Sequence, residues 1–186
     1  MLIRSIVGID EVGRGCLAGP LVAAAVILKS SIPGITDSKI LSEKQRYNYK
    51  DLIYENAIDI AIGWTNVDVI NDKGLTYAVS NAMSMAINKV RVKYSKIIID
   101  GNYNYLPDFD NVETVIKGDS LVQSVSAASI IAKIYRDEWI TRLSLKYPQY
   151  GLEKHKGYGT KFHLEMIEKY GPTDIHRMFF KPLLKY

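Results

Sequence analysis

The sequence predicts an α/β fold, in which strands and helices alternate along one chain. Two observations support this prediction. Five short segments have the apolar patterning of strands, and they span residues 3–10, 21–28, 57–64, 96–100 and 112–116. Four longer segments carry apolar residues at helical spacing or begin with helix-capping residues, and they span residues 42–55, 75–90, 120–146 and 160–170.

The first third of the chain is predicted to form two strands, a helix and a third strand. Residues 3–10 alternate and then become apolar, and residues 21–28 are apolar without a break, which is typical of a buried strand. Ser42 and Gln45 have the spacing of a capping box, in which each side chain bonds the main-chain N–H of the other. They predict a helix to about residue 55, and the third strand follows at 57–64.

The middle of the chain repeats a helix-and-strand pattern. Apolar residues on one stripe over 75–90 predict a helix before the apolar strand at 96–100. An irregular piece leads to a short strand at 112–116. A second capping box at 120–123 predicts the longest helix, whose apolar face continues to about residue 146.

The last 41 residues carry the whole positive excess of the chain, whose net charge is +4. Residues 1–145 hold 16 basic and 16 acidic residues, whereas 146–186 hold 8 and 4, together with all three histidines. This region is predicted to form a polar loop at 148–159 and an amphipathic helix at 160–170. A basic region of this kind suits a polyanionic partner such as nucleic acid, although a solvated charged surface explains the same numbers.

Composition limits the class of protein. With 186 residues, 47% of them hydrophobic, the chain predicts a single globular domain over 1–186 with a short basic C-terminal helical region. The only cysteine, Cys16, excludes an intramolecular disulfide framework and a multi-cysteine zinc site. No apolar run approaches the roughly 20 residues of a membrane span, and no signal pattern opens the chain. We therefore expect a soluble, cytoplasmic protein.

Four carboxylates follow predicted strands: Asp10 and Glu11 after the first, Asp100 after the fourth and Asp119 just past the fifth. Strand ends are where α/β sheets build their sites, and four converging acids would repel one another unless cations neutralise them. Oxygen ligands without His or Cys indicate Mg²⁺ or Mn²⁺. Four negative charges match two divalent ions, which favours two-metal hydrolysis of a phosphodiester.

Two features of this acid set leave alternatives open. Consecutive residues of a regular strand face opposite sides, so Asp10 and Glu11 share a site only if the backbone turns there. A strand-end acid also commonly lies in solvent or caps a helix.

Further binding residues are predicted near the first acids and in the basic region. Gly13, Arg14 and Gly15 form a loop whose N–H groups and guanidinium suit a phosphate, although a tight turn explains the glycines equally well. Tyr158 lies among cationic residues and glycines, where its ring would pack on a sugar or base or would simply anchor the loop. Lys39 suits a phosphate contact or a surface charge at a helix start.

Segment 8–20, with the sequence GIDEVGRGCLAGP, resembles the signature of the ribonuclease HII (type 2 ribonuclease H) family. Later blocks resemble that family in the same order, at 37–39, 99–101, 117–119, 127–133 and 155–160. The Lys-Gly-Tyr-Gly-Thr form of the last block is similar to bacterial members. The resemblance extends over nearly the whole chain.

The resemblance implies a ribonuclease H-like fold, with a five-stranded mixed sheet flanked by helices. It implies Mg²⁺- or Mn²⁺-dependent cleavage of RNA in RNA/DNA hybrids and 5′ to single ribonucleotides in duplex DNA, leaving 3′-hydroxyl and 5′-phosphate ends. The family's metal-binding acids fall on Asp10, Glu11, Asp100 and Asp119. Its Gly-Arg-Gly element, which contacts the ribonucleotide 2′-OH, falls on 13–15, and its sugar-packing tyrosine falls on Tyr158.

The resemblance also has departures. The chain stops at Tyr186, before the extra C-terminal helices of longer members, and shows no glutamine-led motif of the kind that binds the sliding clamp in some members. We expect a monomer with no clamp partner and with reduced substrate affinity. The alternatives are another ribonuclease H-like nuclease that acts on DNA, and a nucleic-acid binding module whose carboxylates are structural.

Overall fold

Five strands form one mixed sheet. The computed structural model describes residues 5–186; residues 3 and 4 of the first predicted strand lie outside the described residues. The strands are β1 (Ile6–Val12), β2 (Leu21–Leu28), β3 (Ala57–Thr65), β4 (Lys96–Asp100) and β5 (Val112–Val115), in the spatial order β3-β2-β1-β4-β5. β2 is antiparallel to β1 and β3, whereas β4 is parallel to β1 and β5. The predicted five-stranded mixed sheet is confirmed.

Helices cover both faces of this sheet. They are α1 (Glu43–Asn56), α2 (Val67–Ile87), α3 (Gly118–Leu121), α4 (Gln123–Ser144), α5 (Leu152–His155) and α6 (Lys161–Tyr170). Apolar residues of α2 pack with Ile9 and Ile99 on one face, and those of α1 and α4 pack with Ala24 and Val26 on the other. Gly8 brings α4 close to β1, because a Cβ at Gly8 would overlap the main chain of Ser124.

A third apolar cluster joins the C-terminal region to the loop after β1. Its members are buried residues of that loop, of α4 and of the C-terminal segments: Leu17, Ala18, Ile140, Tyr150, Leu152, Ile167, Ile175 and Leu183. Short antiparallel bridges pair Cys16 with Tyr158 and Ala18 with His176. The basic C-terminal region is therefore built onto the loop that carries residues 13–15.

The first capping box is confirmed and the second is wrong. The Ser42 hydroxyl accepts from the Gln45 N–H at 3.3 Å, and the Gln45 side chain accepts from the Ser42 N–H at 2.9 Å. At the second position the chain forms the single turn α3, then an extended Val122, and only then α4. Gln123 does not cap that helix, since its side chain pairs with the main-chain N–H and carbonyl of Ile32.

Two other boundaries differ from the prediction. α2 begins at Val67 instead of residue 75, and Gly74 interrupts it with φ 80°. The segment predicted as a polar loop at 148–159 contains a 3₁₀ turn at Pro148–Tyr150 and the one-turn helix α5. Within residues 5–186, no helix is both long enough and apolar enough to cross a membrane. The single domain over 1–186 and the cytoplasmic location stay predictions.

Candidate active site

Three of the four predicted acids meet at the end of the parallel strand pair β1 and β4. Ile9 lies opposite Ile99 in the register of this pair, which sets Asp10 beside Asp100 on the α4 side of the sheet. Asp119 reaches the same place from α3. Carboxylate oxygens of Asp10, Asp100 and Asp119, here called the acid cluster, lie within 4.8 Å of one another.

Glu11 is not part of this group. β1 continues regularly through Val12, so Glu11 points to the opposite side of the strand from Asp10. Its carboxylate accepts a hydrogen bond from Arg14, whose Nη1 lies 3.3 Å from Oε1. The backbone turn that would bring Asp10 and Glu11 to one face is absent from the described strand.

The acid cluster is electrostatically unfavourable as it stands. Burial raises the pKa of Asp10 well above its usual range, and the neighbouring charges of Glu11 and Asp100 raise it further. Burial and the charge of Asp119 likewise raise the pKa of Asp100. The folded protein therefore disfavours the charged form of these carboxyl groups, as expected of a site that a cation completes.

Lys39 is the cation nearest to this cluster in the described chain. Its Nζ lies 3.2 Å from Oδ2 of Asp119 and 3.8 Å from Oδ1 of Asp37. The Asp119 and Asp37 carboxylates raise the pKa of Lys39, against the opposing effect of burial. With 71% of its side chain exposed, Lys39 is also free to turn towards a ligand.

The two glycines of the loop at 13–15 lie in different surroundings. Gly13 has φ +98°, and a Cβ there would collide with the side chain of Arg136, so its lack of a side chain serves the turn and the packing. A Cβ at Gly15 would meet nothing within 4 Å. Among residues 5–186, no group accepts a hydrogen bond from the main-chain N–H of Arg14 or Gly15. The outer part of the loop is therefore open and presents two free donors.

Tyr158 lies beside this loop. The antiparallel bridge to Cys16 holds its main chain there, while 40% of the residue remains exposed. The Nζ of Lys133 lies 5.5 Å from the centre of its ring, and that ammonium also pairs with Asp137 at 3.0 Å. The structure thus places an exposed aromatic ring, with a cation over it, on the segment that pairs with the loop at Cys16.

Comparison with known proteins decides the family. The family model described as ribonuclease HII matches residues 7–183. The chain is 45% identical over 185 residues to ribonuclease HII of Francisella tularensis subsp. novicida, covering 96% of this chain and 97% of the relative. This chain belongs to the ribonuclease HII family. The family consists of metal-dependent endoribonucleases that cleave the RNA of RNA/DNA hybrids, so the binding-module alternative is excluded.

Solved structures confirm the ribonuclease H-like fold. The crystal structure of ribonuclease H2 from Pyrococcus horikoshii superposes with a TM-score of 0.81 at 26% identity and covers 97% of this chain and 96% of that one. Bst-RNase HIII in complex with Mn²⁺ superposes with a TM-score of 0.70 at 23% identity, over 97% of this chain and 68% of that one, and shows the fold alone.

Several residues around the ribonuclease HII site were missed by the sequence reasoning. Ser129 of α4 partly offsets the raised pKa of Asp10, and its hydroxyl lies 2.9 Å from that of Ser38 in the segment before α1. Arg136 and Arg177 lie wholly buried beneath the loop at 13–20. Arg136 falls just outside the family-like block at 127–133, and no sequence pattern marks Arg177.

Two histidines of the basic region are buried behind the Tyr158 segment. His163 and His176 are buried, with their Nε2 atoms 3.3 Å apart, and His163 Nδ1 lies 2.9 Å from the Tyr158 carbonyl oxygen. Burial lowers the pKa of each to about 4. They are therefore neutral at physiological pH. His163 contacts the main chain of Tyr158, and His176 contacts His163.

Proposed function

We propose that this ribonuclease HII family enzyme also incises duplex DNA 5′ to a single embedded ribonucleotide, leaving 3′-hydroxyl and 5′-phosphate ends. One observation carries the proposal. The acid cluster stands at the end of the strand that leads directly into a loop with two free N–H donors, and the exposed ring of Tyr158 flanks that loop. A site that reads one 2′-OH needs donors and a sugar-packing surface beside the scissile phosphate.

The acid cluster has the chemistry of a divalent-cation site. Its donors are all carboxylate oxygens, which suit Mg²⁺ or Mn²⁺, and burial together with neighbouring carboxylates raises the pKa of Asp10 and Asp100. Bst-RNase HIII, a protein of the same fold, binds Mn²⁺. Two such ions, when bound, supply Lewis-acid polarisation of the phosphodiester and of water.

The chain's own residues would divide the remaining work. Asp10, Asp100 and Asp119 would hold the metal, and the main-chain N–H of Glu11 donates to Oδ1 of Asp10 at 2.7 Å. Glu11 belongs to the proposed metal-binding set, but its side chain lies on the opposite side of β1 from Asp10. Both this orientation and its 3.3 Å pair with Arg14 must change for its carboxylate to take part.

The substrate would be held by the groups next to those acids. The loop at 13–15 would accept the ribonucleotide through its free N–H groups, with Tyr158 packing on the neighbouring sugar and Lys39 contacting a phosphate. The monomeric state and the lack of a clamp partner stay predictions.

A cleavage assay tests the proposed activity. The substrate is a DNA duplex that contains one ribonucleotide, with Mg²⁺, Mn²⁺ or chelator, beside an RNA/DNA hybrid and an all-DNA duplex. We expect metal-dependent incision 5′ to the ribonucleotide and no cutting of all-DNA duplex. Cleavage of the hybrid without incision at the single ribonucleotide contradicts the proposal, and cutting of all-DNA duplex favours the DNA-nuclease alternative.

Replacing Tyr158 tests the sugar-packing surface. Because stacking on an aromatic side chain contributes about 1–3 kcal/mol, Tyr158→Ala should lower kcat/KM at a single ribonucleotide by about 10-fold or more. Tyr170→Ala is a matched control, since Tyr170 is an exposed tyrosine of the same region at the end of α6. Equal effects of the two substitutions on kcat/KM would remove Tyr158 from the site.

A further inference from the structure

Two arginines lie completely buried beneath the loop at 13–20, and neither has a carboxylate partner. Arg136 comes from α4 and Arg177 from the C-terminal segment, and neither is exposed to solvent. None of the ion pairs within residues 5–186 includes either guanidinium. Burying a charge in this way is costly unless hydrogen bonds compensate. We call Arg136 and Arg177 the arginine layer.

Main-chain carbonyls supply all the compensation. Arg177 donates to Gly13 at 2.6 Å, to Arg14 at 3.1 Å and twice to Gly19, at 2.8 and 3.0 Å. Arg136 donates to Pro20 at 2.9 Å, to Ala18 at 3.0 Å and to Lys156 at 2.9 Å. Arg177 therefore holds the loop at 13–19 by its carbonyls. Arg136 connects the end of that loop, at Ala18 and Pro20, to Lys156 in the segment that carries Tyr158.

The bonds from Arg177 determine where the free donors of the loop point. All described peptide bonds are trans, and in a planar trans peptide the C=O and the following N–H point in opposite directions. Since the carbonyls of Gly13 and Arg14 turn inward to Arg177, the N–H groups of Arg14 and Gly15 turn away from it. Neither of these two N–H groups has an acceptor in the described chain.

We propose that Arg177 is a positioning residue for ribonucleotide recognition, which aims the Arg14 and Gly15 N–H groups at the substrate by holding the carbonyls of the same peptides. Arg136 fixes this loop against the Tyr158 segment, so that both halves of the recognition surface keep one geometry. The guanidiniums touch no substrate and act only through the main chain. This inference rests on the proposed function, because it assigns the loop to the ribonucleotide.

Arg177→Lys is the sharpest variant, because it keeps the charge but lacks the planar fork that reaches three carbonyls at once. Arg136→Lys tests the second contact in the same way and serves if Arg177→Lys does not fold. Ile167→Ala is the matched control, since Ile167 is buried in the same C-terminal cluster and its side chain makes no hydrogen bond to the loop. Thermal unfolding reports the stability of each variant.

The deciding readout is the binding preference for a DNA duplex with one ribonucleotide over the all-DNA duplex, measured by fluorescence anisotropy in chelator so that no strand is cut. Because two oriented N–H groups would carry this preference, and hydrogen bonds of ordinary strength make each worth several-fold, we expect Arg177→Lys to lose most of it, by about 10-fold. Ile167→Ala should lose stability and keep the preference.

Three outcomes would overturn the inference. The wild type could show no binding preference, or the folded arginine variants could keep the wild-type preference. The third outcome is that Ile167→Ala loses as much of the preference as an arginine variant of equal stability. The incision assay on the wild-type enzyme is separate. Failure of incision with an intact, Arg177-dependent binding preference would count against the proposed activity and leave the positioning role standing.

Discussion

The acid cluster and the arginine layer handle buried like charges in opposite ways. In the acid cluster, three carboxyl groups have oxygens within 4.8 Å of one another, and burial and neighbouring carboxylates raise the pKa of Asp10 and Asp100. Lys39 is a neighbouring ammonium, 3.2 Å from Asp119. In the arginine layer, two guanidiniums are deeply buried, but seven hydrogen bonds to carbonyl oxygens satisfy them. Burial still lowers the pKa of Arg177, to about 10, which leaves it charged.

The acid cluster lacks full charge compensation and therefore has the character of a binding site, whereas the hydrogen-bonded arginine layer has the character of a structural support. Three carboxylates beside the single ammonium of Lys39 carry an excess of negative charge that an ion from solution would offset, so their arrangement indicates chemistry. Guanidiniums saturated by the protein's own main chain need nothing further, so their arrangement indicates preorganisation. Substitutions in the two regions should therefore have opposite effects on stability.

The largest effect should follow Asp10→Asn. Loss of a residue that merely orients a metal ligand costs about 10- to 100-fold, so loss of a ligand should lower kcat/KM on RNA/DNA hybrid by more than about 100-fold. Because the folded state disfavours the charged Asp10, the same change should raise Tm in chelator by about 2–4 °C, for about 1 kcal/mol. Activity assays and thermal unfolding measure the two effects.

Asp72→Asn is the control for that comparison. Asp72 is an exposed aspartate of α2 whose neighbour is Lys73, at 3.1 Å. It should leave both activity and Tm close to the wild-type values. A near-wild-type rate in Asp10→Asn would contradict the assignment of the acid cluster.

The next effect concerns pH and the histidines behind Tyr158. Each of His163 and His176 has a pKa of about 4 in the folded protein, against about 6.5 in an unfolded chain. Between pH 6.5 and pH 4 the unfolded state binds more protons than the folded state. The free energy of unfolding is therefore greatest above about pH 6.5 and decreases as the pH falls to 4. The loss should reach the order of 3 kcal/mol for each histidine.

His163→Asn isolates this contribution. An Asn amide can donate to the Tyr158 carbonyl in place of Nδ1–H but does not titrate. Chemical unfolding between pH 7 and pH 4 should show a flatter loss of stability in this variant than in the wild type. An equally steep loss would show that the acid sensitivity arises elsewhere.

The smallest effect should follow Lys39→Ala. If Lys39 leaves Asp119 for a substrate phosphate, its loss should reduce the slope of log K against log salt by about one. Lys161→Ala is a comparison, because Lys161 is a similarly exposed lysine that pairs with Glu165 at 3.8 Å. An unchanged slope in Lys39→Ala would mean that Lys39 stays on Asp119 and offsets the acid cluster.

Local sequence rules predicted much of the fold because most elements carry their own signals. The unbroken apolar run at 21–28 and the Ser42 capping box gave β2 and the start of α1 with correct bounds. The prediction of a second capping box was wrong because the Gln123 side chain hydrogen-bonds the main chain of Ile32, which is distant in sequence. No local rule contains a contact between residues so far apart in the chain.

Local sequence rules likewise predicted some residues of the site and not others. Strand-end position was enough to bring Asp10, Asp100 and Asp119 to one edge, because adjacent parallel strands end together. Arg177 was not predictable, since a lone arginine shows its function only when the fold places it under four carbonyl bonds. The burial of His163 and His176 was likewise not predictable, because charge and composition carry no information on burial.

The most direct test of the contrast between the two regions is the metal dependence of Tm in wild type and Asp10→Asn. An ion at about 100 times its Kd adds about 2.7 kcal/mol, so Mg²⁺ or Mn²⁺ should raise the wild-type Tm by about 5–10 °C over chelator and leave Asp10→Asn nearly unchanged. Equal shifts in both proteins, or no shift in the wild type, would contradict the account of the acid cluster as a site completed by cations.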